Sequence, residues 1–300
     1  MKVLVTGSTG FIGQKLAREL ATSGYDVSVL TRDPEKAQKQ VPDASNWFTW
    51  KNLENGALNG IDAVVHLAGE SIAGGRWTEE RKRRIRESRT KTTRLLIDAI
   101  KNSGSSGPRI LVGVSAIGIY GDRGDEQLTE SSSIGTGFLS EVCREWEELT
   151  RSLESTLRVV VLRLGMVLGH GGGALSRLVP VFSMGVGGRV GSGKQWVSWV
   201  HIDDVVQTFI WSLANQNARG VYNVTAPQPV RNQEFAKQLG HALHRPAVLP
   251  APAFALKLAL GEMAEIVLDS QNVMPARLTE EGYAFHYRSL EVALAQLFPN

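Results

Sequence analysis

Apolar residues fall in two rhythms along this chain. Short runs dominated by Val, Leu and Ile occur at Lys2–Thr6, Asp26–Thr31, Ala63–Leu67, Ile110–Val114 and Val159–Arg163. Runs of this length, rich in β-branched residues and bounded by turn formers, predict strands. Between them the spacing becomes helical. One helix is predicted from about Phe11, with Leu16, Leu20 and Ala21 on its apolar positions and a stop near Gly24. A longer one carries Ile85, Leu95, Leu96, Ile97 and Ile100. Regular strand–helix alternation predicts an α/β fold with a doubly wound parallel sheet. Glycine-rich stretches at Gly169–Gly173 and Ser183–Lys194 break the rhythm, residues 201–225 resume it, and 226–300 read as mostly helical. The expected organisation is a nucleotide-binding domain over 1–168 with 201–225 returning to it. A smaller substrate lobe is expected over 169–200 and 226–300.

The first strand runs into Gly7-Ser8-Thr9-Gly10-Phe11-Ile12-Gly13 and then a helix. This strand, G-x-x-G-x-x-G and helix in sequence form a dinucleotide signature, and they make the expected sheet Rossmann-like. Gly7 is expected to turn the chain sharply off the strand, Gly10 to let the backbone approach a phosphate, and Gly13 to bring the helix close to the sheet. The helix N-terminus then offers N–H groups and a favourable dipole to a pyrophosphate. The second strand ends Leu30-Thr31-Arg32-Asp33. Arg32 suits a ribose 2′-phosphate and Thr31 adds a hydroxyl, which points to NADP(H) ahead of NAD(H). Asp33 argues the other way, since a carboxylate there suits a free ribose diol.

Composition narrows the class without naming a substrate. The chain has 300 residues, 42% hydrophobic and 21% charged, with a net charge of +3. That balance gives no reason to expect nucleic acid or a membrane as the main partner. The basic run Arg81-Lys82-Arg83-Arg84-x-Arg86-x-x-Arg89 is diluted by Glu79, Glu80 and Glu87 and spread around its helix, so it reads as a solvated face. The single cysteine, Cys143, permits no intrachain disulfide and reads as an inert core residue. No run is long and apolar enough to span a membrane, and the first strand begins at once, so a cytoplasmic protein is expected. No cluster has metal-ligand spacing, so no metal is expected. His66, inside a strand, reads as a core histidine.

Four segments resemble the nucleotide-sugar epimerase group of the extended short-chain dehydrogenase/reductase superfamily. They are Thr6–Gly13, His66-Leu67-Ala68-Gly69, Trp199–Val205 and Gly220-Val221-Tyr222-Asn223-Val224. Finer features resemble its YfcH-type epimerase-family branch: Leu67–Glu70, Arg76-Trp77, Ser88-Arg89, Ser115–Gly121 and Val167-Leu168-Gly169.

The resemblance implies cofactor contacts from Gly7, Thr9, Gly10, Phe11, Ile12, Gly13, Leu67, Ala68 and Gly69, with Arg84 and Arg89 reaching toward a phosphate. It makes His201-x-Asp203-Asp204 a structural segment and a homodimer the usual assembly. It also implies hydride-transfer chemistry, in which a Ser or Thr holds the substrate oxygen. A Tyr passes the proton, and a Lys four residues on lowers the Tyr pKa. Ser115 takes the first role. The Tyr-x-x-x-Lys position falls at Phe138-Leu139-Ser140-Glu141-Val142-Cys143, which holds neither residue. Tyr120 is the nearby phenol, readable as proton donor or as a packing residue. Glu70 reads as a substrate contact or a solvated carboxylate. Arg189, Lys194 and Trp196 imply a site for a small, anionic or sugar-nucleotide-like substrate. Two functions follow: an NADP(H)-dependent, epimerase-like oxidoreductase, or a non-catalytic NADP(H) sensor or scaffold.

Overall fold

A computed structural model describes residues 1–299. Seven parallel strands form the central sheet: β1 (Lys2–Thr6), β2 (Asp26–Thr31), β3 (Asn46–Thr49), β4 (Ala63–His66), β5 (Ile110–Ala116), β6 (Arg158–Leu164) and β7 (Gly220–Val224). Their order is β7-β6-β5-β4-β1-β2-β3. The chain winds outward from β1 to β3 and then crosses back to β4 on the other side of β1. The gap between β1 and β4 is therefore the switch point, where a doubly wound sheet opens a crevice at its carboxyl edge.

The period-two pattern of the strands explains the two covered faces. Val3, Val5, Val27, Val29, Ala63 and Val65 point into one core with Leu16 and Leu20 of α1 (Phe11–Thr22). Leu4, Leu30, Val64 and Leu111 point into the other, with Leu96, Ile97 and Ile100 of a long helix over Glu79–Ser103. Short α2 (Pro34–Gln40) precedes that long helix, which is α3. Both α2 and the edge strand β3 escape the hydrophobic reading, because β3 is only four residues long and none of them is fully buried. Then come α4 (Phe138–Arg151), α5 (Leu175–Ser183) and α6 (Ile202–Ala214), with α6 in the α1 core.

Strand ends shift by one or two residues for identifiable reasons. Regular pairing stops at His66: the Leu67 N–H is shared between the Thr6 carbonyl (3.3 Å) and the Thr6 hydroxyl (3.2 Å), and the Ala68 N–H is held by that hydroxyl at 3.2 Å. β5 extends to Ala116 because its pairing with β6 continues to Ala116–Leu164.

A third core gathers Leu168, Leu175, Phe182, Trp199, Phe235 and Leu294. It joins α5 to α7 (Asn232–Ala242) and to a C-terminal helix over Leu290–Leu297. Between these two helices lie α8 (Ala253–Leu260), α9 (Glu265–Leu268) and α10 (Ala276–Glu280), so the C-terminal one is α11. No helix among the described residues is long and apolar enough to cross a membrane.

Candidate functional site

The glycine turn sits at the switch point, and steric limits there fix its residues. Gly7 has φ +69°, and a Cβ on it would lie 2.8 Å from the Leu67 carbonyl carbon. Gly13 does a different job from the one expected. A Cβ there would meet the Gly7 carbonyl and the Ser8 Cα, the latter at 2.7 Å, so it lets the helix fold onto its own turn and not onto the sheet. Gly10 is the N-cap of α1 but offers no side-chain cap, and no acid stands in the first turn. The first free N–H groups of α1 thus lack a partner from their own helix, which is the condition for holding an anion. Gln14 braces the turn by donating to the Thr9 carbonyl at 2.9 Å.

Beneath the turn, a buried chain of hydrogen bonds ties β1 to β4 and α3. Thr93 donates its proton to the Arg89 carbonyl (2.7 Å) and must therefore accept from His66 Nε2 (3.0 Å). His66 Nδ1 then accepts from Thr6 (2.7 Å), whose oxygen accepts the Leu67 and Ala68 N–H groups. His66 is the core histidine that its strand position predicts, and burial pushes its pKa down to about 4.

A pH dependence follows. Above pH 6.5 the ring is neutral whether the chain is folded or unfolded. Below that, only the unfolded chain takes up the proton until about pH 4, so stability falls as pH falls through this window, by about 2 kcal/mol at pH 5. Burial raises the carboxyl pKa of Asp204 and Glu130, which acts in the opposite direction. The diagnostic is therefore the difference in urea midpoint between wild type and His66→Gln at pH 7.5 and pH 5. Equal pH slopes in the two proteins would remove His66 as the cause.

At the end of β2, Asp33 is committed to local structure. It is the N-cap of α2, and its side chain accepts the Lys36 N–H at 3.0 Å. Its own N–H goes to Thr31 Oγ1 at 3.2 Å. Arg32 is exposed and has no ion pair or hydrogen bond among the described residues. The structure thus leaves a free cation at the strand tip and takes the competing carboxylate away.

Ser115 and Arg89 each lie near Cys143 of α4. Ser115, near the end of β5, is 2% exposed, and its Oγ has no hydrogen-bond partner of good geometry. It lies beside the buried Cys143 thiol of α4, which burial pushes up to about 11, so this thiol is protonated and inert. Arg89 also lies near Cys143. Its guanidinium stacks over Trp146 (5.2 Å) and donates to the Ile85 carbonyl at 3.0 Å. It packs against the backbone of Gly69, where an added Cβ would be 3.3 Å from Cζ. Burial lowers its pKa, and no carboxylate among the described residues pairs with it. A buried cation without an ion pair, packed on Gly69 at the β4 tip, is suited to an anionic or developing negative group. Ser8, in the glycine turn, is a second buried hydroxyl without a partner, and the sequence pattern singles out only its glycine and threonine neighbours.

Other expected site residues lie elsewhere. Tyr120 is fully buried, and its hydroxyl is engaged by Arg163 (2.8 Å), Asn223 (2.7 Å) and the Thr129 carbonyl (3.0 Å). Burial raises its pKa. The phenol is thus held in the polar core by three partners. Glu70 is paired with both Arg81 and Arg84. Arg189 donates to the Ser192 carbonyl at 3.0 Å.

The remaining two, Lys194 and Trp196, line different spaces. Lys194 lines a polar surface pocket of about 450 Å³ with Asp122, Asp125 and Arg231. Trp196 lines a separate, mostly apolar cavity of about 110 Å³ with Ile117, Met166, Phe182, Phe235 and Asp269. Ile117 follows β5 directly and Met166 stands two residues beyond the end of β6, so this cavity lies past the carboxyl ends of those two strands.

Residues 3–225 match the family model described as the NAD dependent epimerase/dehydratase family. The chain belongs to that family. Residues 251–297 match a second model, a domain of unknown function (DUF1731). The chain is similar to the epimerase family protein SDR39U1 homolog, chloroplastic, of Arabidopsis thaliana, with 42% identity over 98% of this chain and 86% of that protein. It is also similar to epimerase family protein YfhF of Bacillus subtilis, with 36% identity over 99% and 98%. Among solved structures, human epimerase family protein SDR39U1 (isoform2) with NADPH superposes with TM-score 0.92 and 34% identity over the full length of both chains. In this epimerase-family chain, the start of α4, Phe138-Leu139-Ser140-Glu141-Val142-Cys143, holds neither Tyr nor Lys.

Proposed function

We propose that this protein binds NADP(H) at the switch point and is an oxidoreductase or epimerase-like enzyme for a small hydroxy or carbonyl substrate. The carrying observation is a buried Ser115 hydroxyl without a hydrogen bond of good geometry and a buried Arg89 guanidinium without an ion pair, each near Cys143, in a fold whose α1 N-terminus has no side-chain cap. The NADPH in the human relative supports the cofactor assignment.

In this reading the N–H groups at the start of α1 hold the pyrophosphate. Arg32 and Thr31 hold the 2′-phosphate, and Leu67-Ala68-Gly69 line the cofactor's path along β4. When bound, the cofactor accepts or returns a hydride at the substrate carbon. Ser115 donates its hydrogen bond to the substrate oxygen and fixes the carbon's position. Arg89 stabilises negative charge on that oxygen, lowering the cost of losing its proton to water. This replaces a phenol–ammonium pair with a hydroxyl–guanidinium pair and leaves Tyr120 outside the chemistry. The cytoplasm suits this reading, because a reducing compartment keeps the one thiol reduced.

The test is calorimetric titration of cofactor-stripped protein with NADPH, NADP⁺, NADH and NAD⁺, followed by turnover assays on a panel of carbonyl compounds. Ser115→Ala is expected to leave NADPH affinity within about threefold and to lower turnover about 100-fold or more, the usual weight of one oriented donor in the transition state. Turnover unchanged by this substitution would sink the Ser115 assignment.

The absence of Tyr and Lys from α4 favours a second reading, in which NADP(H) binding shifts a conformational equilibrium without chemistry. Its mark is a partner whose affinity differs between NADPH- and NADP⁺-loaded protein, with no turnover on any substrate.

A further inference from the structure

We propose that the cavity beyond Ser115 takes an unphosphorylated, mainly apolar molecule whose amino or hydroxyl end is held by Asp269. This names the substrate class of the site described above and rests on that reading. Three observations carry it.

The first is the lining. Ile117, Met166, Leu178, Phe182, Val197 and Phe235 are among its apolar lining residues, and no lysine or arginine lines it. A nucleoside diphosphate buried without cations would leave its charge uncompensated. At about 110 Å³ the interior has room for roughly ten non-hydrogen atoms. Ile266 of the lining is itself partly exposed, and Val181, Met184 and Val186, close in sequence to the lining residues Phe182 and Gly188, are exposed apolar residues.

The second is the partition between the two spaces. Residues 267–271 alternate: Val267, Asp269 and Gln271 face the apolar cavity, whereas Leu268 and Ser270 face the polar pocket that holds Lys194 and Arg231. Those two cations are thereby kept on the far side of the segment. Arg231 is further occupied by Asp125 (2.6 Å) and by stacking on Trp196 (4.0 Å).

The third is the charge around Asp269. Its side chain accepts no hydrogen bond from any described residue. The groups acting on it are the carboxylates of Asp122 and Glu265 and the Lys257 ammonium. Burial, then the two carboxylates, push its pKa up to about 6 against the lysine's opposing effect. The field at the inner wall therefore repels anions and attracts a cation or a hydrogen-bond donor.

The probes are n-octylamine, octan-1-ol and UDP-glucose, titrated calorimetrically into the full-length protein at pH 7.5 with and without saturating NADPH. Octylamine is expected to bind about tenfold or more tightly than octanol. Asp269→Asn is expected to erase that difference by weakening the amine alone about tenfold. Ala236→Phe fills the cavity from α7 and is expected to abolish binding of both probes while NADPH affinity stays unchanged. UDP-glucose binding more tightly than either probe, or an amine affinity that survives both substitutions, would overturn the proposal. Loss of NADPH binding with amine binding intact would overturn the cofactor reading and leave this one standing.

Discussion

Arg32→Asp is expected to weaken NADPH binding by about 100-fold or more while leaving NADH within about threefold, so that preference for the phosphorylated cofactor collapses or inverts. The estimate joins a lost charge-assisted bond to phosphate, worth about 1.5–3 kcal/mol, with the repulsion of a new carboxylate at the same place. The structure makes the size of this effect depend on Arg32 alone. The neighbouring carboxylate, Asp33, already caps α2 through Lys36, and Thr31 is bound to the Asp33 N–H. Calorimetry with both reduced cofactors on wild type and variant checks it. An unchanged NADPH/NADH ratio would mean that the 2′-phosphate is recognised elsewhere or not at all.

Glu147→Ala is expected to cost about 3–5 kcal/mol of folding stability, because it strands a buried guanidinium. Arg163 and Glu147 form a bidentate pair, with both contacts at 2.8 Å and side chains only 7% and 6% exposed. Burial by itself disfavours the charge on Arg163, but the Glu147 carboxylate and then Tyr120 more than offset it, and its pKa rises. Tyr120→Phe removes the hydroxyl that meets Arg163, Asn223 and the Thr129 carbonyl but leaves the Arg163–Glu147 pair intact, and should cost less, about 1–3 kcal/mol. Urea unfolding of the two variants measures the contrast. It also separates structure from chemistry: once corrected for folded fraction, turnover of Tyr120→Phe should match wild type. A loss of turnover in well-folded Tyr120→Phe would return the phenol to the reaction.

Much of the fold was legible because it depends on local pattern. Five of the seven sheet strands show as short apolar runs in which alternate residues are claimed by opposite cores, as Val3 and Val5 are by one and Leu4 by the other. The turn at Gly7–Gly13 was readable because only glycine tolerates its φ and its contacts. The edge strand Asn46–Thr49 was not legible, since exposure relaxes the demand for apolar residues.

The chemistry divides differently. The sequence by itself determined that a dinucleotide turn opens the chain, that Arg32 follows the second strand, that Ser115 ends the fifth, and that α4 carries no Tyr-x-x-x-Lys. Each of these is a matter of one residue at one local position. The tertiary structure decided which side chains have partners. It spent Asp33 on a helix cap, Tyr120 on Arg163 and Asn223, and Glu70 on Arg81 and Arg84. It left the buried Arg89 without an ion pair, and set Asp269 in an apolar cavity lined also by Ile117, 152 positions earlier in the numbering. A polar group's role depends on what remains unsatisfied after the chain has folded. That balance is struck between residues far apart in sequence, so no local pattern records it.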